Sequence, residues 1–268
     1  MSSAIVINMA KERKDTESEW RLLPLRTDDA FTSMAIDEAL LKLNAEDKSP
    51  NTIRFWRWQP STVSIGCFQS IEREVDLGVA KRYGVDVVRR ITGGGAVFHD
   101  HDGEITYSVV CKQDDVPDDI IESYKLICGG LVRGFENLGL RAEFKPVNDV
   151  QVNGKKISGS AQTRRWGSML QHGTVLISPD VRQMFELLKV SPEKISDKFI
   201  ASVYERVTTI EREIGRKPTF EEVREAILTG FGDSLNVKLH EGELTIEELE
   251  LAKKLRPKYA SDEWLRKR

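Results

Sequence analysis

The chain is short of the features that mark several protein classes. Its three cysteines, Cys67, Cys111 and Cys128, are an odd number without paired spacing. This argues against a disulfide framework or a zinc site and favours a reducing compartment. No apolar run approaches the roughly 18 residues of a transmembrane helix, and the N-terminus lacks the apolar core of a signal peptide. We therefore expect a cytoplasmic protein that does not enter a membrane.

An excess of positive charge is also missing. The formal net charge is −3 and the isoelectric point is about 5.9, so there is no electrostatic footprint for a nucleic acid partner. The length of 268 residues suits one large domain. Residues 1–19 are polar and charged, which predicts a flexible extension, and residues 20–268 are expected to form the folded domain.

A run of three glycines, Gly93 to Gly95, is the most informative local feature. Valines precede it, and Ala96, Val97 and Phe98 follow, which predicts a strand, a glycine turn and a second strand. Exposed backbone N–H groups in such a turn hold anionic oxygens, and a guanidinium such as that of Arg90 binds phosphate or carboxylate. The alternative interpretation is a tight hairpin with surface arginines.

A second block lies about fifty residues further on. Val150 to Val152 alternates like a half-buried strand, and Asn153-Gly154 is a strong hairpin signal. Because neighbouring side chains of a strand face opposite sides, only one of Lys155 and Lys156 can face a given site. Taken alone, such a lysine is more often a surface charge than a catalytic group.

The remaining pattern predicts alternating strands and helices. A helix capped by Asp28 or Asp29 is expected through about Asn44. Two strands, Thr52–Trp58 and Ser61–Phe68, are expected to form a hairpin that walls a pocket or lies in ordinary core. Further strands are expected at 20–25, 84–88, 105–111 and 169–177, and further helices at 75–83, 118–138, 181–188, 218–231 and 244–255.

Together the two blocks resemble the lipoate–protein ligase A family and its relatives among the biotin–protein ligases. The matching stretches are Arg89–His99, Asn148-Asp149, Gly154–Ala161 and His172–Thr174. The resemblance extends weakly from about Leu22 to the C-terminus. It implies an α+β fold with a mixed, largely antiparallel sheet and packed helices.

The resemblance implies ATP-dependent ligation, in which lipoate or octanoate becomes an acyl-AMP and the acyl group passes to a lysine. Lys156 would be the catalytic lysine, and Asp149 would contact the adenylate or a Mg²⁺ ion. The acceptor would be a lipoyl-domain protein, either a 2-oxoacid dehydrogenase E2 or a glycine cleavage H protein. Substrate and nucleotide contacts are expected at Arg90, Gly93, Gly94, Gly95, Val97, His99, Asn148, Asp149, Gly159, Ser160, Ala161, His172 and Gly173.

Octanoyl transfer from an acyl carrier protein is the main alternative. Relatives of that kind use a cysteine nucleophile, and a thioester mechanism needs a positioned thiolate. Cys111 is predicted inside a strand and Cys128 inside a helix, so both are expected to be core thiols. Cys67 alone is a candidate, and the lack of an evident thiolate favours the ligase.

Two further alternatives stay open. Larger ligases carry a C-terminal accessory domain that a chain of 268 residues is expected to lack, so the resemblance implies that a separate polypeptide supplies it for adenylation. Without that partner the chain would only bind lipoate or transfer preformed lipoyl-AMP. Biotin–protein ligation is the other alternative, but the Asn148-Asp149 and Gly154-Lys155-Lys156 blocks fit the lipoate branch better.

Overall fold

The computed structural model describes residues 18–189 and 203–267. The strands are β1 (Ser18–Leu22), β2 (Arg26–Asp28), β3 (Thr52–Trp58), β4 (Thr62–Ile65), β5 (Asp86–Arg89), β6 (Val97–His99), β7 (Glu104–Lys112), β8 (Ala142–Lys145), β9 (Asp149–Val152), β10 (Lys155–Arg165), β11 (Ser168–Leu176) and β12 (Val237–Glu241). The helices are α1 (Ala30–Ala45), α2 (Ile71–Glu74), α3 (Leu77–Tyr83), α4 (Ile120–Asn137), α5 (Val181–Leu187), α6 (Ile210–Ile214), α7 (Phe220–Leu235), α8 (Ile246–Tyr259) and α9 (Asp262–Arg266).

Two sheets organise these elements. The large sheet has the order β12-β1-β3-β7-β11-β10-β9-β8, and β2 pairs with β3 outside this path. Its strands from β3 to β8 pair antiparallel, whereas β1 pairs parallel with both β12 and β3. The small sheet has the order β5-β4-β6. The predicted α+β fold with a mixed, largely antiparallel sheet is therefore confirmed.

Alternation along the central strands gives the large sheet two different faces. Ile105, Tyr107 and Val109 of β7 join an apolar core that includes residues of α4 and α7. On the opposite face, Val110 of β7 and Leu170 of β11 join a core that includes residues of α1 and α8. Polar side chains of β3, β7 and β11 also lie on this second face, and they reach the site described below.

Several ends of helices match the capping signals in the sequence. Asp29 accepts a hydrogen bond from the Thr32 N–H group and begins α1. Thr245 begins α8 with a capping box that includes Glu248. The Glu248 carboxylate also accepts hydrogen bonds from the buried Arg21 guanidinium, at 2.6 Å and 3.0 Å, so the same residue fixes both the helix end and its attachment to β1.

The C-terminal residues are attached to the small sheet through Arg89. Its guanidinium donates to the backbone oxygens of Trp264 and Leu265 and to those of Gly66 and Gln69. The indole N–H group of Trp264 donates in return to the Arg89 carbonyl at 2.9 Å. The end of the described chain therefore supports the same loop that borders the glycine turn.

The structure departs from the sequence prediction in several elements. The helix expected over 75–83 is α3, which begins at Leu77, whereas the short helix α2 before it was not predicted, and the charged C-terminal residues contain α9. Strands β2, β8 and β12 were not predicted. Strand β1 begins at Ser18, inside the segment 1–19 that was expected to be flexible. The predicted division of the chain into an extension and one domain stays a prediction.

Among the helices of residues 18–189 and 203–267, none has the length and apolar character needed to cross a bilayer.

Glycines let α4 and α7 approach closely, which generates a testable prediction. A Cβ atom at Gly230 would lie 2.1 Å from the Gly130 carbonyl oxygen, whereas one at Gly232 would meet nothing closer than 3.6 Å. Gly230→Ala should therefore force the helices apart and cost about 1–3 kcal/mol of unfolding free energy. Gly232→Ala should raise that free energy by up to about 1 kcal/mol, since alanine favours helix.

Urea denaturation of both variants measures this difference. Equal changes in the two unfolding free energies would contradict the glycine contact between α4 and α7.

Candidate functional site

The glycine turn joins β5 to β6 and lies against the end of β4. Gly94 has a φ of 92°, a conformation that favours glycine. A Cβ atom at Gly66 would lie only 2.2 Å from the Gly94 carbonyl oxygen, so glycine is required at both positions. The turn is thus fixed by a close approach of two backbone segments.

Arg90 holds this turn from the inside. Its Nη2 atom donates to the carbonyl oxygens of Gly93 and Gly95, both at 2.7 Å, and its Nη1 atom donates to the Ser64 carbonyl at 3.1 Å. The side chain is buried, and burial lowers the pKa of the guanidinium to about 10. Arg90 therefore organises the turn, and its expected contact with phosphate or acyl oxygens stays a prediction.

Lys156 lies on β10 and reaches the same region. Its Nζ atom is 2.7 Å from Oδ1 of Asp149. Its backbone is held by hydrogen bonds to the Arg206 carbonyl and from the Thr208 N–H group, both at 2.8 Å. Lys156 lines the central cavity and Lys155 does not, in agreement with the alternation expected for a strand. The segment 198–209 resembles the lysine-and-serine loop that precedes a final helix in the ligase family, and its part at 198–202 lies outside the described residues.

Asn148 fixes the loop that precedes Asp149. Its side-chain amide donates to the Ser160 carbonyl, and the Ser160 N–H group donates to the Asn148 carbonyl at 3.0 Å. The Ser160 hydroxyl bonds instead to the Tyr107 hydroxyl at 2.8 Å, on the α4 side of the sheet. Asn148 and Ser160 thus hold the two β-strand segments together beside the cavity.

These elements enclose a cavity of about 310 Å³. The predicted site residues on its wall are Arg90, Gly94, Gly95, Val97, His99, Asn148, Lys156, Gly159, Ser160, Ala161, His172 and Gly173. Gly93 and Asp149 contact this wall through Arg90 and Lys156. The main apolar wall residues are Met34, Trp56, Trp58, Phe98, Leu176 and Met184. Strands β3 and β4 both contribute residues to the wall, but the hairpin predicted for them is wrong, because β3 belongs to the large sheet and β4 to the small one. Met34 and Met184 carried no local signal for the cavity.

Asp149 was also expected to bind Mg²⁺. In the structure its Oδ1 atom pairs with Lys156, and no cluster of three or more His, Cys, Asp or Glu that would suit a metal ion occurs among the described residues. One carboxylate that is already paired does not form a protein-held site, so we derive no step through a metal ion. The Mg²⁺ assignment stays a prediction.

His99 is held between a carboxylate and a hydroxyl. Its Nδ1 atom lies 2.8 Å from Oε2 of Glu104, and its Nε2 atom lies 2.8 Å from the Ser64 hydroxyl. The imidazole stacks on Trp58 with 4.3 Å between ring centroids. The ring is therefore fixed in position and in orientation.

His172, on β11, is likewise held between a carboxylate and a hydroxyl. Its Nδ1 atom lies 2.9 Å from Oδ2 of Asp37 in α1, and its Nε2 atom lies 2.8 Å from the Thr92 hydroxyl. Burial lowers the pKa of His172 below its ordinary value, so the ring is neutral near pH 7. Asp37 also faces the buried guanidinium of Arg54, with 3.7 Å between Oδ1 and Nε.

No cysteine lines this cavity, and all three cysteines of the chain lie in its described part. Cys111 on β7 and Cys128 on α4 are buried, as predicted, and burial raises the pKa of the Cys128 thiol to about 12. Cys67 follows the turn at Gly66, and it lines a separate cavity together with Phe68 and Trp264. A positioned thiolate is therefore missing from the site.

Residues 29–232 match the model of the lipoyl protein ligase A/B catalytic domain. Octanoyltransferase LipM of Brevibacillus brevis is 39% identical, over 92% of this chain and 98% of its own length. Octanoyltransferase LipM of Bacillus subtilis is 36% identical, over 93% of this chain and 98% of its own length.

Solved structures give a complementary comparison. The bi-partite lipoate protein ligase of Thermoplasma acidophilum, described with its E2 lipoyl domain, superposes with a TM-score of 0.83 at 34% identity. That match covers 93% of this chain and 97% of the other. A lipoate-protein ligase A bound with ATP superposes with a TM-score of 0.79 at 32% identity, over 94% of this chain and 99% of the other.

The sequence-based expectation of an ATP-dependent lipoate–protein ligase is wrong. The curated relatives that match over more than nine-tenths of this chain are octanoyltransferases. A transferase receives an acyl group that is already activated, so it needs no adenylation step. The ligase was favoured because the sequence showed no positioned thiolate. The absence of a cysteine nucleophile does not, however, show that a protein uses ATP.

The pairing of Lys156 with Asp149 generates a prediction about Gly159. A Cβ atom at Gly159 would lie 2.5 Å from Nζ of Lys156, and because that contact is the far end of a flexible side chain, Gly159→Ala should displace the lysine without unfolding the protein. The freed amine should react several-fold faster with a trace of acetic anhydride, as measured by peptide mass spectrometry. Lys155 in the same digest is the internal control, and unchanged labelling of Lys156 would count against the pairing.

Proposed function

The chain belongs to the family of the lipoyl protein ligase A/B catalytic domain, and we propose that it is an octanoyltransferase. The donor is an octanoyl thioester of an acyl carrier protein. The product is an amide on a specific lysine of a lipoyl-domain protein, either a 2-oxoacid dehydrogenase E2 or a glycine cleavage H protein. The similarity to octanoyltransferases along almost the whole chain supports this reaction.

The observation that carries the proposal is the apolar cavity with an ammonium group and a glycine turn on its wall. Trp56, Trp58 and Phe98 supply apolar surface for an alkyl chain, and each CH₂ group that leaves water contributes about 0.8 kcal/mol. The polar groups meet the carbonyl end of the chain. A medium-length fatty acyl group has this same division into an apolar tail and one polar end.

Lys156 has the properties needed to stabilise charge during transfer. Negative charge develops on the carbonyl oxygen when a nucleophile attacks the thioester, and a fixed cation near that oxygen lowers the barrier. Asp149 holds the ammonium group at 2.7 Å, while the hydrogen bonds of Arg206 and Thr208 hold its backbone. We assign to Lys156 the stabilisation of this oxyanion.

The proposed acceptor is supported by similarity to a solved structure. The Thermoplasma acidophilum ligase is described together with its E2 lipoyl domain, and this similarity supports a lipoyl-domain protein as the acceptor. A separate accessory polypeptide was expected for adenylation. Transfer from a thioester does not require it, so that partner stays a prediction.

A two-arm assay tests the proposed reaction. In one arm the full chain receives octanoyl-acyl carrier protein and a lipoyl domain without nucleotide, and in the other it receives octanoate, ATP and Mg²⁺. We expect the octanoyl amide, detected by mass spectrometry of the lipoyl domain, in the first arm. Amide formation only in the second arm would overturn the proposal.

Two lysine variants test the role of Lys156 in the same assay. Lys156→Ala should lower kcat by about 10²- to 10³-fold, because it removes a group that stabilises the developing oxyanion. Lys155→Ala is the matched control on the same strand, and its kcat should change little. If Lys156→Ala kept full activity, the oxyanion role would be wrong.

A further inference from the structure

The side chains around the cavity indicate which protein group receives the octanoyl chain first. Resting on the proposed function, we propose that Ser64 is the nucleophile and carries the octanoyl group as an oxyester, with His99 as its general base and Glu104 as the group that orients His99. The chain of contacts is Ser64 Oγ to His99 Nε2 at 2.8 Å and His99 Nδ1 to Glu104 Oε2 at 2.8 Å.

The thiols do not offer a competing nucleophile inside the cavity. Cys111 and Cys128 are buried in the core beneath the large sheet, where burial raises the pKa of each thiol. Cys67 lines a different cavity. A covalent intermediate in the central cavity must therefore form on another kind of side chain.

Other hydroxyl groups that border the cavity differ from Ser64 in a decisive way. Thr92 contacts His172 at 2.8 Å, but it does not line the cavity. Ser160 lines the cavity, yet its hydroxyl bonds to Tyr107 on the other side of the sheet. Among the described residues, Ser64 combines a place on the cavity wall with a hydroxyl bonded to an imidazole.

The direction of the hydrogen bonds around His99 suits its role as a general base. The Trp58 indole N–H donates to the Thr106 hydroxyl at 2.7 Å, and that hydroxyl donates to Oε1 of Glu104. The other carboxylate oxygen accepts from Nδ1 of His99, which places the proton of the neutral ring on Nδ1. The Nε2 lone pair then faces the Ser64 hydroxyl and accepts its proton.

Arg90 also contacts the Ser64 hydroxyl. Its Nη1 atom lies 3.1 Å from the Ser64 hydroxyl oxygen and donates to it. A nearby cation favours the alkoxide character that develops as the hydroxyl loses its proton. The Trp58 ring, stacked on His99, keeps the imidazole in the plane needed for both hydrogen bonds.

The two half-reactions balance with these groups alone. In the first, Ser64 Oγ bonds to the thioester carbonyl carbon, its proton passes to His99 Nε2, the C–S bond breaks and the thiol leaves with that proton. In the second, the neutral amine of the acceptor lysine attacks the ester carbonyl and the C–O bond to Ser64 breaks. A proton from the amine returns through His99 to Ser64, and the amide is released.

The test is to trap the acyl-enzyme. The full chain is mixed with octanoyl-acyl carrier protein without a lipoyl domain, quenched in acid, and digested with trypsin. We expect one octanoyl group on the peptide of residues 58–73, at Ser64, and resistant to neutral hydroxylamine. The peptide also holds Cys67, whose thioester would be cleaved by the same reagent, so the two sites are distinguished on one fragment.

Variants separate a catalytic role from a structural one. Ser64→Ala and His99→Gln should lose the adduct, and Ser64→Ala should lower kcat by at least about 10³-fold at unchanged KM for the thioester. Ser61→Ala and Cys67→Ala, on the same peptide, are the controls and should keep the adduct. Ser64→Cys, a variant of nearly equal size, should form an adduct that neutral hydroxylamine removes.

Each contrary result has a distinct meaning. Transfer at the wild-type rate by Ser64→Ala, an adduct on Cys67 or Lys156, or intersecting rather than parallel lines in two-substrate initial-rate plots would overturn the role of Ser64 and leave the proposed function standing. If Ser64→Ala does not fold, as judged by its thermal unfolding transition, Ser64→Cys decides the question alone. A wild-type chain that transfers no octanoyl group from the thioester would overturn both proposals.

Discussion

A buried guanidinium, that of Arg90, holds the glycine turn against the neighbouring strand. Its donors are used by carbonyl oxygens of the turn and by Ser64. This geometry is possible because Gly66 and Gly94 allow two backbones to meet without an intervening side chain. Arg90 thus holds both the Ser64 hydroxyl and the glycine turn on the cavity wall, so the small sheet contributes directly to the site.

The polar side chains of the site share one face of the large sheet. On β7 and β11, alternate residues pack against α4 and α7 as apolar core, while Thr106, Ser108 and His172 face α1 and the cavity. A buried polar group is costly unless it is hydrogen-bonded. The Asp37 carboxylate meets this requirement for both Ser108 and His172, which explains why a helix of largely apolar composition carries a buried acid.

Alternation and turn residues are local signals, and they predicted most of the strands and the hairpin at Asn153-Gly154. The twelve predicted residues on the cavity wall came from the family resemblance instead. The sequence did not predict the partners of the histidines. His172 and Asp37 are 135 positions apart, and periodicity reports the face of a strand but not what covers that face. Edge strand β12 was missed for a similar reason, since its parallel pairing with β1 depends on distant residues.

The pairing of charges on the cavity wall favours one kind of acyl donor over another. Within the described part of the chain, each cationic or imidazole group on the cavity wall has a protein partner: Lys156 has Asp149, His172 has Asp37, His99 has Glu104, and Arg90 has carbonyl oxygens. A polyanion bound beside them would compete with these partners, and the half-exposed Lys156–Asp149 pair would be the first to separate. A neutral octanoyl thioester requires no such separation. The matched charges therefore favour a donor that arrives uncharged at its reacting end and gains negative charge only as its carbonyl is attacked.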